Sequence, residues 1–484
     1  MTDSQSMLDV LRREDLLVER PDALPDITAI TADSRSARPG SAYIAIRGSQ
    51  ADGHAFIGDA VVHGATLVVA ERNTDAGVPQ VIVRDGRLAA IALARAWYGD
   101  PARSLTLIGV TGTNGKTTTV SLVRHLLNAH GTAGSIGTLG AFDGAGDSVP
   151  STAGSLTTPG PVDLQATLAE LRERGSRSVA METSSHSLHQ GRLDGLTFRA
   201  GIFTNLTRDH LDYHGTMEAY LASKLRLATL LSNDGVAILN AEDPAWRAMR
   251  RDVRRITFGR HAAGDVHAAA VSLDASGCRF RLESIFGSAD IALPLLGDFN
   301  LSNALGAAAC ALALGLPMDT VASRLNTAPQ VPGRMEILAD APVTVLRDYS
   351  HTPDSLERAL TTLRSLTEGR LIVLFGCGGD RDRGKRPIMG RIAAEQSDLP
   401  IVTSDNPRTE DPEAIIDEVV AGMGSGTRLR IADRREAIRQ ALEAARPGDT
   451  VLLAGKGHET YQVVGTEKLP FDEGDIVRQL LGAR

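Results

Sequence analysis

The residues from Leu105 to Thr119 read LTLIGVTGTNGKTTT, and this stretch decides the fold at the centre of the chain. The apolar, β-branched run from Leu105 to Val110 predicts a buried strand, which the glycine-rich residues Gly112 to Thr117 break. Apolar residues then recur at helical spacing, at Val120, Leu122, Val123, Leu126 and Leu127. The stretch therefore predicts a strand, a glycine turn and a helix.

The predicted turn has the chemistry of a phosphate-binding loop. Its glycines permit the positive φ angles of a tight turn, and the N–H groups at a helix N-terminus attract phosphate. Lys116 adds a positive charge, and the Thr117 hydroxyl can hold a metal ion, so we predict an ATP site with Mg²⁺. Val110 stands where the longer P-loop pattern has glycine, so a plain glycine turn remains an alternative. The loop alone does not distinguish a kinase from a ligase.

Length and composition limit the function classes. The 484 residues are enough for about three domains, each with its own core. Lys and Arg total 51 against 59 Asp and Glu, and the net charge of −8 argues against general attraction to nucleic acid or an anionic membrane. Cys278, Cys310 and Cys377 have no Cys-x-x-Cys spacing, which fits a reducing compartment. Without a signal pattern or a bilayer-length apolar run, a soluble cytoplasmic protein is expected.

The first predicted domain covers residues 1 to 103. Its predicted elements are the strands Ala42–Ile46, Thr66–Val69 and Gln80–Val83 and the helix Arg87–Trp97. Polar, turn-forming stretches flank the first strand and contain Ser34, Ser49, Gln50 and Ala51. On their own these stretches are more typical of ordinary loops than of a binding site.

The second predicted domain covers residues 104 to 332, where strands alternate with helices. After the glycine loop the predicted elements are helix Val162–Arg174, strands Ser178–Met181 and Ala200–Thr204, helix Thr216–Leu231, strand Val236–Asn240 and helix Ala304–Leu314. Such alternation predicts a mainly parallel sheet covered by helices. The short strands Ile256–Phe258, Cys278–Leu282 and Ile291–Leu293 predict a small antiparallel addition over residues 253 to 296.

The third predicted domain, residues 333 to 484, is a second α/β series. Its predicted strands are Val343–Leu346, Leu371–Phe375, Ile401–Thr403 and Thr450–Ala454, and its predicted helices are Asp354–Leu366, Arg386–Glu395, Asp411–Met423 and Arg434–Ala445. A polar motif follows each of the four strands, and ligands bind at the carboxyl edge of open parallel sheets. The four motifs predict a second ligand surface, facing the ATP site across a domain cleft.

Two polar residues follow strands of the central domain. Glu182 comes after Ser178–Met181, and His210 comes shortly after Ala200–Thr204, so both are expected at the sheet edge that carries Thr117. Mg²⁺ prefers oxygen ligands, which suits Thr117 and Glu182. For His210, a hydrogen-bonded loop histidine is as good an interpretation as a metal contact.

Lys224 lies on the apolar stripe of the predicted helix Thr216–Leu231, at helical spacing from Leu221 and Ala228. A lysine in such a place usually packs its stem and extends its amine to water. The functional alternative is a buried amine whose lowered pKa makes it reactive.

Seven motifs now stand together: Gly112–Thr118 (GTNGKTT), Glu182–His186 (ETSSH), Asn205–His214 (NLTRDHLDYH), Asn300–Asn303 (NLSN), Gly333-Arg334, Asp348–Thr352 (DYSHT) and Asp405–Arg408 (DNPR). In this combination the chain resembles the Mur ligases over nearly its whole length. The resemblance implies an α/β fold of three domains: a small N-terminal domain for a UDP-sugar, a central P-loop ATPase-like domain and a C-terminal Rossmann-like domain for an amino acid. The family's short glycine loop also accounts for Val110.

The resemblance assigns residues to sites one by one. The nucleotide site takes Gly112, Thr113, Asn114, Gly115, Lys116, Thr117, Thr118, Thr119, Asn303, Arg334, Asp348 and His351. The UDP-sugar dipeptide takes Ser34, Ser49, Gln50, Ala51, Thr157, Thr158, Ser184, Gln190 and Arg192. The incoming amino acid takes Arg381, Asp405, Asn406, Pro407, Arg408, Gly455 and Glu459.

The resemblance also implies the catalytic set, which is Lys116, Glu182, His210 and Lys224. Lys224 matches the lysine that the family carbamylates with carbon dioxide, and a carbamate can ligate a second Mg²⁺. The expected metal-binding residues are Thr117, Glu182, His210 and the carbamate of Lys224.

The activity implied is ATP-dependent amide ligation in peptidoglycan precursor synthesis. ATP is expected to phosphorylate the D-glutamate carboxylate of UDP-N-acetylmuramoyl-L-alanyl-D-glutamate, and the amine of meso-diaminopimelate to displace the phosphate. The same ligation with L-lysine and a folylpolyglutamate-synthase-like ligase remain alternatives. A non-catalytic P-loop regulator is the alternative of another class, and it would not need Lys224. We expect a monomer without nucleic-acid partners or membrane insertion.

Overall fold

The computed structural model describes residues 4–48, 51–129, 131–150, 156–261, 264–426 and 428–482. The chain is a mixed α/β protein, as the sequence predicts, and it divides into two compact units. The first unit is Met1–Phe258, Ala263–Asp265 and Gly306–Pro317, and the second is Gly259–Ala262, Val266–Leu305 and Met318–Arg484. The division into three domains after residues 103 and 332 stays a prediction.

The amino-terminal part of the first unit is built on a five-stranded sheet in the order β1-β5-β4-β3-β2. Its elements are α1 (Ser4–Arg13), β1 (Leu17–Glu19), β2 (Ala29–Thr31), β3 (Ser41–Ile44), α2 (Ile57–Val62), β4 (Ala65–Ala70), β5 (Gln80–Val83) and α3 (Gly86–Trp97). The sheet is parallel except for β1. The three predicted strands and the predicted helix are confirmed, whereas α1, which buries Met7, Leu8 and Leu11, is additional.

The rest of the first unit contains the glycine loop. Its elements are β6 (Thr106–Thr111), α4 (Lys116–Leu127), β7 (Ala133–Gly137), β8 (Gly140–Phe142), β9 (Ser148–Val149), α5 (Pro161–Glu173), β10 (Ser178–Glu182), α6 (Ser185–His189), β11 (Phe198–Phe203), α7 (Leu211–His214), α8 (Met217–Leu225), β12 (Leu231–Asn240) and β13 (Arg254–Gly259). These strands lie in the order β13-β12-β11-β6-β10-β7-β8-β9, parallel from β13 to β7. Strand β6 thus lies between β10 and β11, whose carboxyl ends flank the loop.

Two predictions for this region are wrong. The helix predicted over Thr216–Leu231 ends at Leu225, and a 3₁₀ turn over Arg226–Leu230 leads directly into β12. The tighter turn lays Leu227 over the sheet, since a Cβ added at Gly109 would come within 2.8 Å of its Cδ1. The strand predicted over Ile256–Phe258 pairs parallel with β12, so it extends the main sheet instead of joining an antiparallel addition.

The second unit begins with the antiparallel addition. It comprises β14 (Val266–Asp274), β15 (Gly277–Ser284) and β16 (Gly287–Leu293), followed along the chain by the helices α9 (Asp298–Ala313) and α10 (Met318–Leu325). Both strand pairs are antiparallel. An antiparallel addition is therefore confirmed, with β14 as a strand that the sequence analysis did not identify.

The larger part of the second unit is a six-stranded sheet in the order β17-β18-β22-β19-β20-β21. Its elements are β17 (Glu336–Ala339), β18 (Thr344–Asp348), α11 (Pro353–Leu366), β19 (Leu371–Phe375), α12 (Lys385–Gln396), β20 (Leu399–Val402), α13 (Pro412–Val420), β21 (Leu429–Arg430), α14 (Arg434–Ala444), β22 (Thr450–Ala454) and α15 (Glu473–Gly482), with a separate hairpin of β23 (Tyr461–Val464) and β24 (Glu467–Pro470). All strands of the sheet but β17 are parallel. Strands β18, β22, β19 and β20 are neighbours, so the four predicted polar loops share one sheet edge.

Among the residues that the structure describes, no helix combines the length and the apolar character needed to cross a membrane.

Candidate functional site

The glycine loop between β6 and α4 has the backbone that its sequence predicts. Gly115 has a φ of 83° directly before α4, and Gly112 has a φ of 148°. A Cβ added at Gly112 would come within 1.8 Å of Thr204 Oγ1, so only glycine fits at that position. The residues after β11 support the loop, because Asn114 N donates to Asn205 Oδ1 at 2.9 Å. Contacts with the residues after β11 therefore hold the loop in this conformation.

The side chain of Lys116 folds back over the loop. Its Nζ donates to Gly112 O at 3.0 Å and to Thr113 O at 2.8 Å. The positive charge therefore lies next to the backbone that, by its sequence pattern, would receive the phosphates.

Glu182 and Thr117 are brought together, as predicted. Glu182 is only 1% exposed, and its Oε1 accepts hydrogen bonds from Thr117 Oγ1 at 3.0 Å and from Thr138 N at 2.8 Å. Its Oε2 accepts from Thr138 Oγ1 at 3.1 Å. This set of oxygens fits the preference of Mg²⁺. No group of three or more His, Cys, Asp and Glu side chains that could hold a metal occurs in the described part of the chain.

His210 directly precedes α7 and has a φ of 53°, and its Nε2 lies 3.4 Å from Asp209 Oδ2. Its ring centroid is 4.8 Å from that of His186 and 6.2 Å from that of Tyr220. Burial lowers the pKa of His210, which favours the neutral ring that a metal ion would need. Its role as a metal ligand stays a prediction.

A cluster of aromatic and histidine rings surrounds His210, and no sequence motif predicts it. His186 and His214 have ring centroids 5.4 Å apart, and Tyr213 lies 4.2 Å from His186. Tyr213 also contacts His189, since its hydroxyl lies 3.0 Å from His189 Nδ1. Burial lowers the pKa values of His186 and His214 to about 4. The only indication in the sequence is that His186 lies close to His189 along the chain, and His210 close to His214.

Lys224 is buried, with 1% of its surface exposed, so the structure favours the buried-amine interpretation over extension to water. Its Nζ donates to Gly112 O at 2.7 Å and lies 4.3 Å from the centroid of the Tyr220 ring. Burial, reinforced by the positive charge of Lys116, holds the pKa of Lys224 well below its ordinary value. A larger neutral fraction makes the amine a better nucleophile.

Four residues predicted for the UDP-sugar dipeptide form one network beside Glu182. Thr158 Oγ1 donates to the backbone oxygen of Glu182 at 2.8 Å, and Ser184 N donates to Thr158 Oγ1 at 3.2 Å. Arg192 Nη1 donates to Thr158 O at 3.1 Å, and its Nε donates to Gln190 Oε1 at 2.8 Å. The network connects the predicted sugar-dipeptide residues to the predicted Mg²⁺ ligand.

Of the remaining residues predicted for the UDP-sugar dipeptide, those that the structure describes do not join this network. Thr157 Oγ1 accepts from Thr138 Oγ1 at 3.2 Å, which places it next to the same carboxylate. Ser34 is buried in a 3₁₀ turn of the amino-terminal sheet, and Ala51 follows in the loop after β3. Ser49 and Gln50 lie outside the described residues.

The nucleotide residues predicted in the second unit form a group of their own. Asp348 Oδ2 accepts from Met335 N at 2.8 Å, and burial raises the pKa of this carboxyl. The guanidinium of Arg334 lies 4.5 Å from the centroid of the Tyr349 ring, which also contacts His351 at 4.5 Å. Asp348 ends β18, Tyr349 and His351 follow it, and Arg334 and Met335 precede β17. Asn303 lies separately on α9, where its Nδ2 donates to Asn300 Oδ1 at 3.1 Å.

The predicted amino-acid residues meet at the carboxyl ends of β20 and β22. Asn406 Nδ2 donates to Glu459 Oε2 at 2.8 Å, and Arg408 Nη1 donates to Gly379 O at 2.8 Å. Gly455 has a φ of 115°, and an added Cβ there would come within 2.6 Å of Asp405 Oδ2. Pro407 lies between Asn406 and Arg408, whose φ is 52°. A guanidinium and a carboxylate are thus available in one small region.

Lys456 and Arg381 differ from what the sequence predicts for this pocket. Lys456, which the sequence analysis did not single out, is completely buried, and its Nζ donates to Asn406 Oδ1 at 3.0 Å. Its position between Gly455 and Glu459 was the available signal. Arg381, predicted for the same pocket, is exposed and donates to Asp380 O at 3.1 Å. Its place in the pocket stays a prediction.

Comparison with known proteins gives a consistent result. Three family models match the chain: the Mur ligase family catalytic domain at residues 26–98, the Mur ligase middle domain at 110–311 and the Mur ligase glutamate ligase domain at 333–457. A relative from Geobacillus kaustophilus, named UDP-N-acetylmuramoyl-L-alanyl-D-glutamate--2,6-diaminopimelate ligase, is 44% identical over 95% of this chain and 96% of its own length. A protein of the same name from Gloeobacter violaceus is 44% identical over 95% of this chain and 94% of its own length.

A solved structure of a protein with that name superimposes with a TM-score of 0.64 and 33% sequence identity, covering 96% of this chain and 97% of the other. The similarity therefore extends over both sequence and fold. The chain belongs to the Mur ligase family.

Proposed function

We propose that this Mur ligase adds meso-diaminopimelate to UDP-N-acetylmuramoyl-L-alanyl-D-glutamate in peptidoglycan precursor synthesis. As a family member it is an ATP-dependent ligase that forms amide bonds. The names of relatives at 44% identity support the choice of substrates over a folylpolyglutamate or regulatory role. The observation that carries the proposal is the close placement of Asn406, Arg408 and Glu459 at one sheet edge. Such a site can bind both charges at the far end of a diamino diacid.

The first step joins the free D-glutamate carboxylate to the γ-phosphorus of ATP, and ADP leaves with the electrons of the broken P–O bond. Lys116 directs its ammonium at the loop, and the Thr117 hydroxyl and the Glu182 carboxylate would hold the metal. Mg²⁺, when bound, offsets the negative charge of the transferring phosphoryl group. Placing charge in this way is the main catalytic need of phosphoryl transfer.

In the second step, the amine of meso-diaminopimelate attacks the acyl carbon of this acyl phosphate. The C–O bond to phosphate breaks, phosphate leaves with its electron pair, and the attacking nitrogen loses a proton. Lys224, carbamylated by carbon dioxide, would add an anion beside Gly112 for a second Mg²⁺. Its burial and lowered pKa support this role, because only the neutral amine reacts with carbon dioxide.

The test is phosphate release by the full-length protein with ATP, Mg²⁺ and the UDP-muramoyl dipeptide, against a panel of amino acids. We expect turnover with meso-diaminopimelate and much less with L-lysine, D-alanine or L-glutamate. Turnover with L-lysine that equals or exceeds that with diaminopimelate would reject the substrate and retain the ligase.

We also propose a cytoplasmic location and a monomeric state. Cys278, Cys310 and Cys377 are free, buried thiols, which supports a reducing compartment. Light scattering after size-exclusion chromatography tests the monomer, and a mass near twice 51.2 kDa would contradict it.

A further inference from the structure

Lys456 follows strand β22, and its side chain has no exposed surface. A lysine is almost never buried in this way without partners, since removing an ammonium from water is costly. Three acceptors surround its Nζ: Asn406 Oδ1 at 3.0 Å, Glu459 Oε2 at 3.3 Å and Asp405 Oδ1 at 3.6 Å. All three belong to the proposed amino-acid pocket. No sequence motif assigns a function to Lys456 itself.

These contacts determine how the Asn406 amide is turned. Its Oδ1 accepts from Lys456 Nζ and from Val463 N at 2.9 Å, so its Nδ2 must face the other way, toward Glu459 Oε2 at 2.8 Å. An amide oxygen can accept two hydrogen bonds, whereas the amide nitrogen can only donate. Lys456 and the backbone of Val463 thus select together the amide orientation that serves Glu459.

The same contacts leave one oxygen of Glu459 for a ligand. Its Oε2 accepts from both Lys456 and Asn406, whereas its Oε1 receives no hydrogen bond from the residues that the structure describes. A carboxylate anchored through one oxygen presents the other in a defined direction. An ammonium group of the substrate is the natural partner for that oxygen.

Without Lys456, two carboxylates of the pocket would lose the positive charge that lies between them. Asp405 and Glu459 each have an oxygen within 3.6 Å of the same nitrogen, so their negative charges would face each other unshielded. We propose that Lys456 is a positioning residue, which orients Asn406 and Glu459 to receive the charged end of the incoming amino acid. The inference rests on the proposed function and extends it to a residue that does not itself need to touch the substrate.

The test compares steady-state constants of full-length wild type, Lys456→Met and Arg370→Met. Arg370 is partly exposed and pairs with the buried Asp449 at the opposite, amino end of β22, with an Nη2–Oδ2 distance of 2.7 Å, so its replacement removes an ion pair remote from the pocket. We expect Lys456→Met to raise the KM for the amino acid about tenfold or more while the KM for ATP and for the UDP-muramoyl dipeptide changes less than about threefold. Arg370→Met lowers the melting temperature without this selective rise.

Two outcomes would overturn the inference: all three KM values of Lys456→Met moving together, or Lys456→Met and Arg370→Met behaving alike. If Lys456→Met is insoluble, Lys456→Gln replaces it, with the same selective rise in KM expected. The amino acid that wild type uses best serves as the probe. Wild type that prefers L-lysine therefore counts against the proposed substrate, while the comparison of variants still tests Lys456.

Discussion

Lys224 and Arg408 are the residues on which catalysis and specificity are expected to depend. Lys224 is a buried amine beside the glycine loop, with its Nζ 2.7 Å from Gly112 O. Arg408 is held by its own backbone, which has a φ of 52° and donates through N to Val463 O at 3.1 Å. A non-glycine residue in this conformation is uncommon and is sustained only by its surroundings. Each therefore gives a prediction that a single substitution can test.

Replacing Lys224 by alanine should reduce turnover by about 10²-fold or more, because the proposed carbamate that would hold a second Mg²⁺ near the phosphates is lost. Added formate or acetate should restore part of the activity, since a small carboxylate can occupy the space of the carbamate. Activity is measured as phosphate release, with Lys468→Ala as the control because Lys468 is an exposed lysine on β24. Carbon-13 NMR of wild type in labelled bicarbonate should show a carbamate signal. Active enzyme that carries only the free amine would reject the modification.

Replacing Arg408 by alanine should lower kcat/KM for meso-diaminopimelate by up to about 10⁴-fold, because a carboxylate of the substrate would be left unpaired. The KM for ATP should change little. Arg408→Lys keeps the charge but loses the paired donors, so it should recover only part of the loss. Arg408 and Arg435 both line a cavity of about 800 Å³. Arg435→Ala is therefore the control, because Arg435 is an exposed arginine of that cavity. Equal losses in both alanine variants would remove Arg408 from the specificity site.

At the scale of elements, the β23–β24 hairpin supports the loop that carries Arg408. Gly465 N donates to Arg408 O at 2.8 Å, and Arg408 N donates back to Val463 O. Gln462 adds a side-chain contact, with its Nε2 2.6 Å from Asp405 O. The hairpin thus stabilises the loop of residues 405 to 408.

Gln462→Leu should loosen this loop and raise the KM for the amino acid about threefold to tenfold, with kcat and the KM for ATP nearly unchanged. Gln479→Leu is the matched control, because Gln479 is an exposed glutamine on α15 that contacts Arg435. Isothermal titration of the amino acid into enzyme loaded with the UDP-muramoyl dipeptide and a non-hydrolysable ATP analogue gives an independent reading. Unaltered affinity in Gln462→Leu would show that the backbone contacts suffice.

The same hairpin shows what the sequence could and could not predict. Strands such as Leu371–Phe375 are entirely apolar and completely buried, and the pattern identified them correctly. The hairpin strands Tyr461–Val464 and Glu467–Pro470 are mostly polar or exposed, so they lack any periodic signal. For Arg226–Leu230 the apolar spacing favoured a helix, but these residues form a 3₁₀ turn in which Leu227 packs against Gly109.

The candidate site was predictable where a residue comes directly after a strand of the parallel sheet. Thr117 and Glu182 could be placed together because parallel strands share an edge, and the structure brings them to 3.0 Å. The contacts of Lys456 join residues 50 positions apart through a side-chain network, which no local pattern encodes. Long-range hydrogen bonding of this kind depends on the finished fold.

At the scale of the whole molecule, three histidines make stability depend on pH. Burial lowers the pKa of His186, His214 and His458 from an ordinary value of 6.5 to about 4. Between these values the unfolded chain binds protons that the native state does not. The stabilisation is therefore complete above about pH 6.5 and is lost as the pH falls toward 4.

His458→Gln should consequently flatten the pH dependence of unfolding between pH 6.5 and 4, by at most about 1.4 kcal/mol per pH unit. His458 is suited to the test because it is partly buried and its Nδ1 lacks a hydrogen-bond partner among the described residues. Urea unfolding at several pH values measures the effect, with the exposed His63→Gln as the control for loss of a histidine. A His458→Gln slope equal to that of wild type would assign the acid sensitivity to other groups.

The backbone oxygen of Gly112 accepts from two amines at once, Lys116 Nζ and Lys224 Nζ. A carbamate on Lys224 would replace one of these amine donors by an anion, so the electrostatic environment of the Gly112 oxygen and of Lys116 would change. Nucleotide affinity and carbon dioxide uptake are then linked quantities, each changing the other by the same factor. The enzyme would respond to dissolved carbon dioxide through its affinity for ATP, which makes the bicarbonate content of an assay buffer a variable of the measurement.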